Sequence, residues 1–227
     1  MLFNQENVRE NLRNRDGKRV FYLAKGDQLT SGARDFLTRE RIEILPAELA
    51  KPESYQLMNG GYVEEKPEHM THLDAQILVP KNHPRILFRG KMDILEAELI
   101  LCQLAAGHLI TPAGEILDLA RRLIRCDVLN EPVPEGKLCG LTEDEQRKRS
   151  HFPQDYYGQP HFMPGVEDGP VMARLNHARC AAREAELAAV TAFSDREGNP
   201  TRPDILRSLN RMSSMLYLLM IQEKSKK

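Results

Sequence analysis

Apolar residues recur at helical spacing through the second half of the chain. Over residues 86–106, Ile86, Ile94, Ala97, Leu101 and Leu104 share a face, and Gly107-His108 closes the segment. Thr111-Pro112 reads as an N-cap and a first-turn proline opening a helix over 113–129, with Ile116, Leu119, Leu123 and Ile124 inward. After a Pro/Gly-rich break at 131–140, Thr142 and Glu145 have the spacing of a capping box and start a shorter helix. Residues 153–169 read as a loop. Residues 171–190 predict a helix with Leu175, Ala178, Ala182, Ala185 and Ala189 in one stripe, and 204–223 a last helix. In that helix Ile205, Leu209, Met212, Leu216 and Leu219 line up, while Leu206, Tyr217 and Met220 widen the stripe enough to suggest a covering subunit.

The first half is patterned differently. Residues 1–19 are polar and expected to be mobile; 20–24 and 42–45 read as strands flanking a helix over 31–41 that turns Ala33, Phe36 and Leu37 to one side. From 46 to 84 the chain is rich in Pro, Gly and charge, with only 77–79 strand-like, so a long functional loop is expected. These elements predict a mainly α protein: an antiparallel bundle of four to five helices over 61–227, with a small α/β-like appendage over 1–60.

Thirty-two basic against 33 acidic residues gives no general case for nucleic acid or an anionic membrane, so an anion site must be local. No apolar run reaches the roughly 18 to 20 residues that span a bilayer, and the first residues contain no continuous apolar signal region, which reads as a cytoplasmic protein. Cys102, Cys126, Cys139 and Cys180 are scattered without zinc spacing, as reduced and mostly buried thiols are. His69 and His72 are three apart but lack a third clear ligand, so no metal is assigned to them. Lys25-Gly26-Asp27, without a Gly-rich surround, reads as a turn and not a phosphate loop.

Polar residues inside the apolar helices are the candidates for chemistry. Arg179, Arg183 and Glu186 fall on one narrow face beside the alanine stripe, at the edge of a core. Asp93, flanked by Met92 and Ile94, is expected to be a part-buried carboxylate that needs a cation from Arg179 or Arg183. Asn210 lies off the main stripe beside Arg211.

Three segments in order, HPRILFRGKMDILEAEL, ARCAAREAE and DILRSLNRMSSMLYLLM, resemble the ATP:cob(I)alamin adenosyltransferases of the propanediol-utilisation type. KPEHMTHL, RCDVLNEPV, GLTEDEQ and RPDILRSLNRMSS bring the resemblance closer to the ethanolamine-utilisation branch, over nearly the whole chain. It implies transfer of the 5'-deoxyadenosyl group of ATP to Co(I) of cobalamin, with Mg²⁺, for ethanolamine ammonia-lyase.

Carried over by position, the resemblance implies that Arg179 pairs with Asp93, that Arg183 and Glu186 contact ATP and its Mg²⁺ shell, and that Asn210 binds nucleotide. Lys66, Thr71 and His72 stand where the family grips the triphosphate, although its Lys-Thr-Gly-Asp-x-Gly motif is not preserved. Phe162, in Phe162-Met163-Pro164-Gly165, takes the place of the aromatic on the lower face of the corrin, in a motif one residue shorter than the family's. Some relatives carry a cysteine-rich metal motif where this chain has SYQLMNGGYVEE, so a zinc or iron site is not expected. The resemblance also implies a homo-oligomer, with a trimer favoured over a dimer. Ethanolamine ammonia-lyase, a cob(II)alamin reductase and a microcompartment shell are its implied associates in the bacterial cytoplasm.

Overall fold

Alternation and helical periodicity sort this chain into a sheet-bearing first part and a helical second part. The computed structural model describes residues 1–50 and 55–226; residues 51–54 of the expected 46–84 loop, including the Ser54 that opens SYQLMNGGYVEE, lie outside the described residues. The chain divides into two compact units, Met1–His83 and Pro84–Lys227, and is mainly helical.

In the first unit, β1 (Leu2–Phe3) pairs with β4 (Gln28–Leu29), so the expected mobile N-terminus is instead tied into structure, with α1 (Gln5–Glu10) between. A seven-stranded sheet follows from β2 (Arg13–Arg15), β3 (Lys18–Leu23), β5 (Glu43–Pro46), β6 (Tyr55–Leu57), β7 (Tyr62–Val63), β8 (Met70–His72) and β9 (Ile77–Pro80). Its order is β5-β3-β2-β7-β6-β9-β8, with β8 at an edge. The expected strand–helix–strand unit is present: β3 and β5 run parallel, joined through α2 (Ser31–Arg39), whose Ala33, Phe36 and Leu37 enter a core with Val8, Phe21, Leu29 and Ile42.

The segment expected to be a long loop therefore supplies four strands, and the appendage is a unit with its own core. Gly61 makes the tight return into β7: its φ is +84°, and a Cβ there would lie 2.8 Å from the Leu12 carbonyl oxygen.

The second unit is built on α3 (Pro84–Ala105), α4 (Ile110–Leu129), α7 (Gly169–Ala192) and α8 (Pro203–Lys224). The helix α3 packs on α4 and α7, and α7 on α8, around Phe88, Met92, Leu95, Ile116, Leu123, Leu175, Ala182, Leu209 and Leu216. Two short helices, α5 (Glu143–His151) and α6 (Pro153–Tyr157), lie against α8, so 153–157 is helical where a loop was expected. The Thr142 hydroxyl accepts from the Glu145 N–H and the Glu145 carboxylate accepts from the Thr142 N–H, the capping box read from sequence. The expected Thr111 cap does not form: α4 continues from a 3-10 turn over Gly107–Leu109, and Pro112 is tolerated in a first turn whose N–H groups have no intrahelical partner.

The alanine stripe of α7 is fully buried, as is the main stripe of α8 apart from a slight exposure of Leu219. Two apolar faces were misassigned. On α3 the core side is Phe88, Met92, Leu95, Leu99 and Cys102, while Ile94 and Leu104 are 48% and 78% exposed. On α8, of the residues expected to meet another subunit, Met220 is fully buried and Leu206 and Tyr217 are half-buried against the chain's own core. No described helix is long and apolar enough to cross a membrane.

Candidate active site

In α7, residues four and three apart bring Arg179, Arg183 and Glu186 onto one side of the helix, beside a stripe of small, buried residues. Alanines there let α8 approach closely, and the approach brings two of the predicted residues together. The Asn210 side-chain amide donates to Glu186 Oε1 at 3.0 Å. Both residues are half-buried, which strengthens a charge-assisted contact by excluding water. Arg211 donates to Asn210 Oδ1, so the amide is held at both ends. The Nε of Arg211 is buried with no hydrogen-bond partner among the described residues, and burial lowers its pKa. Ser213 and Ser214 hydroxyls donate to the Asn210 carbonyl at 3.0 and 3.1 Å, fixing the backbone below the amide.

Arg183 is exposed and pairs with no carboxylate among the described residues. A guanidinium in that state is available to an anion. Arg179 takes a different part. Its Nε and Nη2 donate to Asn176 Oδ1 at 3.2 and 3.0 Å, one turn back on its own helix.

Among the described residues the expected Arg179–Asp93 pair does not form. Asp93 is exposed, because Met92 and Leu95 occupy the core-facing phase of α3 and turn residue 93 outward. The α3–α7 contacts are made by neighbours instead: Lys91 with Glu184 at 2.6 Å, and His177 with Glu98 at 2.9 Å.

The buried ionic brace lies elsewhere. Asp127 on α4 is fully buried and accepts from Arg85 Nε at 2.8 Å and Arg89 Nε at 2.7 Å, two cations one turn apart on α3. Sequence reasoning passed over it, although Asp127 follows Ala120 and Leu123 in the buried phase of α4. A second device fastens the start of α8: Arg202 pairs with Asp204 at 2.9 Å and donates to the Glu131 carbonyl, while Asp204 accepts the Val133 N–H. Its hydrogen bond to Arg202 lowers the Asp204 pKa to about 2.

The remaining candidates lie in two places. Phe162 is half-buried in the loop before α7, stacked on Tyr217 of α8 with centroids 6.3 Å apart. Lys66 is exposed in the first unit, whereas Thr71 and His72 belong to β8 and not to a loop. Adjacent strand residues point to opposite faces, and His72 is edge-on to Tyr55 at 5.6 Å. Among the described residues, no three or more His, Cys, Asp or Glu side chains are grouped to hold a metal ion.

These helical residues fall inside a matched stretch: the sequence pattern of cobalamin adenosyltransferases covers residues 61–223. The chain belongs to the cobalamin adenosyltransferase family. The corrinoid adenosyltransferase EutT of Salmonella typhimurium is 36% identical over 162 residues, and that of Escherichia coli K12 is 34% identical over 160. Each alignment covers 70% of this chain and 60% of the relative, so the chain spans less than two thirds of those curated relatives' length. For a cobalamin adenosyltransferase family member, the Glu186–Asn210 contact joins the Arg-x-x-x-Arg-x-x-Glu helix to the Leu-Asn-Arg helix. The family match begins at Gly61, within the first compact unit.

Proposed function

We propose that this chain transfers the 5'-deoxyadenosyl group of ATP to Co(I) of a corrinoid, making adenosylcobalamin for ethanolamine utilisation. The observation that carries the reading is the Glu186–Asn210 hydrogen bond between two half-buried residues of the family's helical motifs. Cobalt(I) is itself the nucleophile: its electron pair forms the Co–C5' bond, and the C5'–O bond breaks with its own electron pair departing on the triphosphate oxygen. No general base is required. The protein's work is to hold C5' in line, exclude water and stabilise charge on the leaving group.

Arg183, exposed and paired with no described carboxylate, is assigned to the triphosphate oxygens, which a guanidinium binds bidentately. Asn210 orients Glu186 and contacts the nucleotide. Lys66 and Thr71 are assigned to the phosphates; His72 faces the other side of β8 and serves better as packing for Tyr55. Glu186 fits Mg²⁺ held mainly by phosphate oxygens and water: Oε1 is taken by Asn210, and Oε2 accepts from no described residue. Bound there, the ion would neutralise phosphate charge. Phe162 is assigned to the lower face of the corrin, where an apolar ring keeps an axial ligand off cobalt and lowers the orbital that accepts an electron in the reduction of Co(II).

We read the helices α3, α4, α7 and α8 as the antiparallel bundle expected of the family. Lys91–Glu184 and Glu98–His177 contacts, in which one number rises as the other falls, support antiparallel α3 and α7. Exposed Leu87, Ile94, Ile100 and Leu104 on α3 support a homo-oligomer, with a trimer favoured. Asp93 lies on that same helix with no cation partner among the described residues, and we assign that role to a second copy. We assign the protein to the bacterial cytoplasm. Ethanolamine ammonia-lyase, a cob(II)alamin reductase and the ethanolamine microcompartment are its functional associates.

Purified protein mixed anaerobically with Mg-ATP and cob(I)alamin tests the reading through the corrin spectrum and the phosphate products. Alkylcobalamin and polyphosphate are expected. Corrinoid binding without conversion would point to a delivery protein, and a phosphorylated product to a phosphotransferase.

A further inference from the structure

The segment between α6 and α7 has little secondary structure of its own, only a 3-10 turn over Val166–Asp168, yet side chains fasten it to α8 at several points. His161 Nε2 lies 3.1 Å from the His151 carbonyl oxygen, which can only accept, so that nitrogen carries the proton of the neutral ring. Nδ1 is then an acceptor, and the Tyr217 hydroxyl, 2.9 Å away, donates to it. The two rings are nearly parallel, 11° apart with centroids at 5.7 Å. Phe162 lies against the same Tyr217 ring at 24°, and Lys224 Nζ stands 5.4 Å from the Phe162 centroid. Lys224 also pairs with buried Asp168, whose Oδ2 accepts the Gly165 N–H at 2.9 Å.

Tyr217 is therefore the common support of two consecutive loop residues. A ring that keeps a ligand off a metal must resist the ligand's return, and a ring on an untethered loop would swing aside. Packing alone would be served by the phenyl part of Tyr217. The hydroxyl and the imidazole add a fixed register, because they set the loop backbone at residue 161 relative to α8 and to the end of α5.

We propose that His161 and Tyr217 are positioning residues that hold Phe162 at the depth required beneath the corrin. This rests on the assignment of Phe162 to the lower corrin face. Full-length protein with Mg-ATP and cob(II)alamin is the system, and the four-coordinate Co(II) fraction, read by electron paramagnetic resonance and absorption, is the measurement. Tyr217→Phe and His161→Leu lower that fraction about fivefold, the factor carried by one ordinary hydrogen bond, with the KM for ATP unchanged. Turnover from cob(II)alamin falls with it, and turnover from pre-reduced cob(I)alamin falls less. His161→Gln, whose amide can donate to the His151 carbonyl and accept from Tyr217, restores the fraction; a merely structural histidine would show no such rescue.

Tyr217→Phe keeps the ring stack and is the variant that decides should His161→Leu fold poorly. If Phe162→Ala loses the four-coordinate signal while Tyr217→Phe and His161→Leu retain it in full, the positioning role is overturned and the Phe162 assignment stands. If Phe162→Ala itself retains the signal, the assignment falls and the positioning role with it.

Discussion

Replacing Asp127 by alanine removes a carboxylate that is fully buried and bonded by two arginines of α3, at 2.8 Å from Arg85 and 2.7 Å from Arg89. Breaking a buried ion pair by deleting one partner typically costs about 3 to 5 kcal/mol, because the other charge loses its compensation without regaining water. Here the guanidinium side chains are 25% and 16% exposed, so each can turn partly outward. The expected cost is then at the lower end, about 3 kcal/mol, or a fall in Tm of roughly 6 to 12 °C for a domain of this size. Asp127→Asn retains one acceptor and costs about half as much. Replacing all three residues together by Met, Met and Leu should return stability to near wild type, since no charge is then stranded. Urea denaturation followed by circular dichroism measures each. An Asp127→Ala variant within about 1 kcal/mol of wild type would refute the reading of Asp127 as the brace between α3 and α4.

Arg183→Ala should weaken Mg-ATP binding about 10- to 100-fold, the loss of one charge-assisted contact, while leaving the fold intact because Arg183 is exposed and pairs with no described carboxylate. Calorimetric titration measures it, and unchanged affinity removes Arg183 from the site. The Arg202–Asp204 pair predicts an acid dependence: the folded pKa of Asp204 is lowered to about 2, so its contribution is complete above the ordinary carboxylate value and is lost as pH falls through about 2. After allowance for solvent screening this amounts to about 1 to 2 kcal/mol near neutrality. The stability gap between wild type and Asp204→Asn should therefore close between about pH 4 and pH 2, and a gap independent of pH contradicts it. The proposed homo-oligomer is tested by Ile94→Lys with Leu104→Lys, which places charge on the exposed apolar face of α3: light scattering should give an oligomeric mass for the wild type and a monomeric mass for the variant, and an unaltered mass excludes that face.

Helices with a single apolar face were legible in the sequence. The α7 stripe from Leu175 to Ala189, the Thr142–Glu145 cap and the main stripe of α8 are in the structure as the spacing predicts. The helix α3 has apolar residues on two faces, and periodicity alone does not say which one the chain covers. Choosing the face of Ile94 and Leu104 also misplaced Asp93. In phase with Phe88, Met92, Leu95 and Leu99, residue 93 points outward. The same argument, that a carboxylate inside an apolar helix needs a cation, holds for Asp127, which lies in the buried phase of α4. The sheet was harder to read, since strands of two to four residues carry no measurable alternation and their pairings, such as β2 with β7, depend on contacts distant in sequence. At the candidate site the residue types were readable from three motifs. The Glu186–Asn210 contact needed the close approach of α7 and α8, which no spacing along one helix reports.

In the proposed reaction, C5' of ATP becomes bonded to cobalt on this protein. Supplying ATP labelled with carbon-13 at C5', together with cob(I)alamin under anaerobic conditions, and recording the carbon resonance of the corrinoid product tests it directly. All label in the product should sit on the carbon attached to cobalt, formed in step with released polyphosphate, and Asn210→Ala and Glu186→Gln should slow its appearance. Unlabelled corrinoid beside intact ATP, or label recovered only in adenosine or ADP, would contradict it.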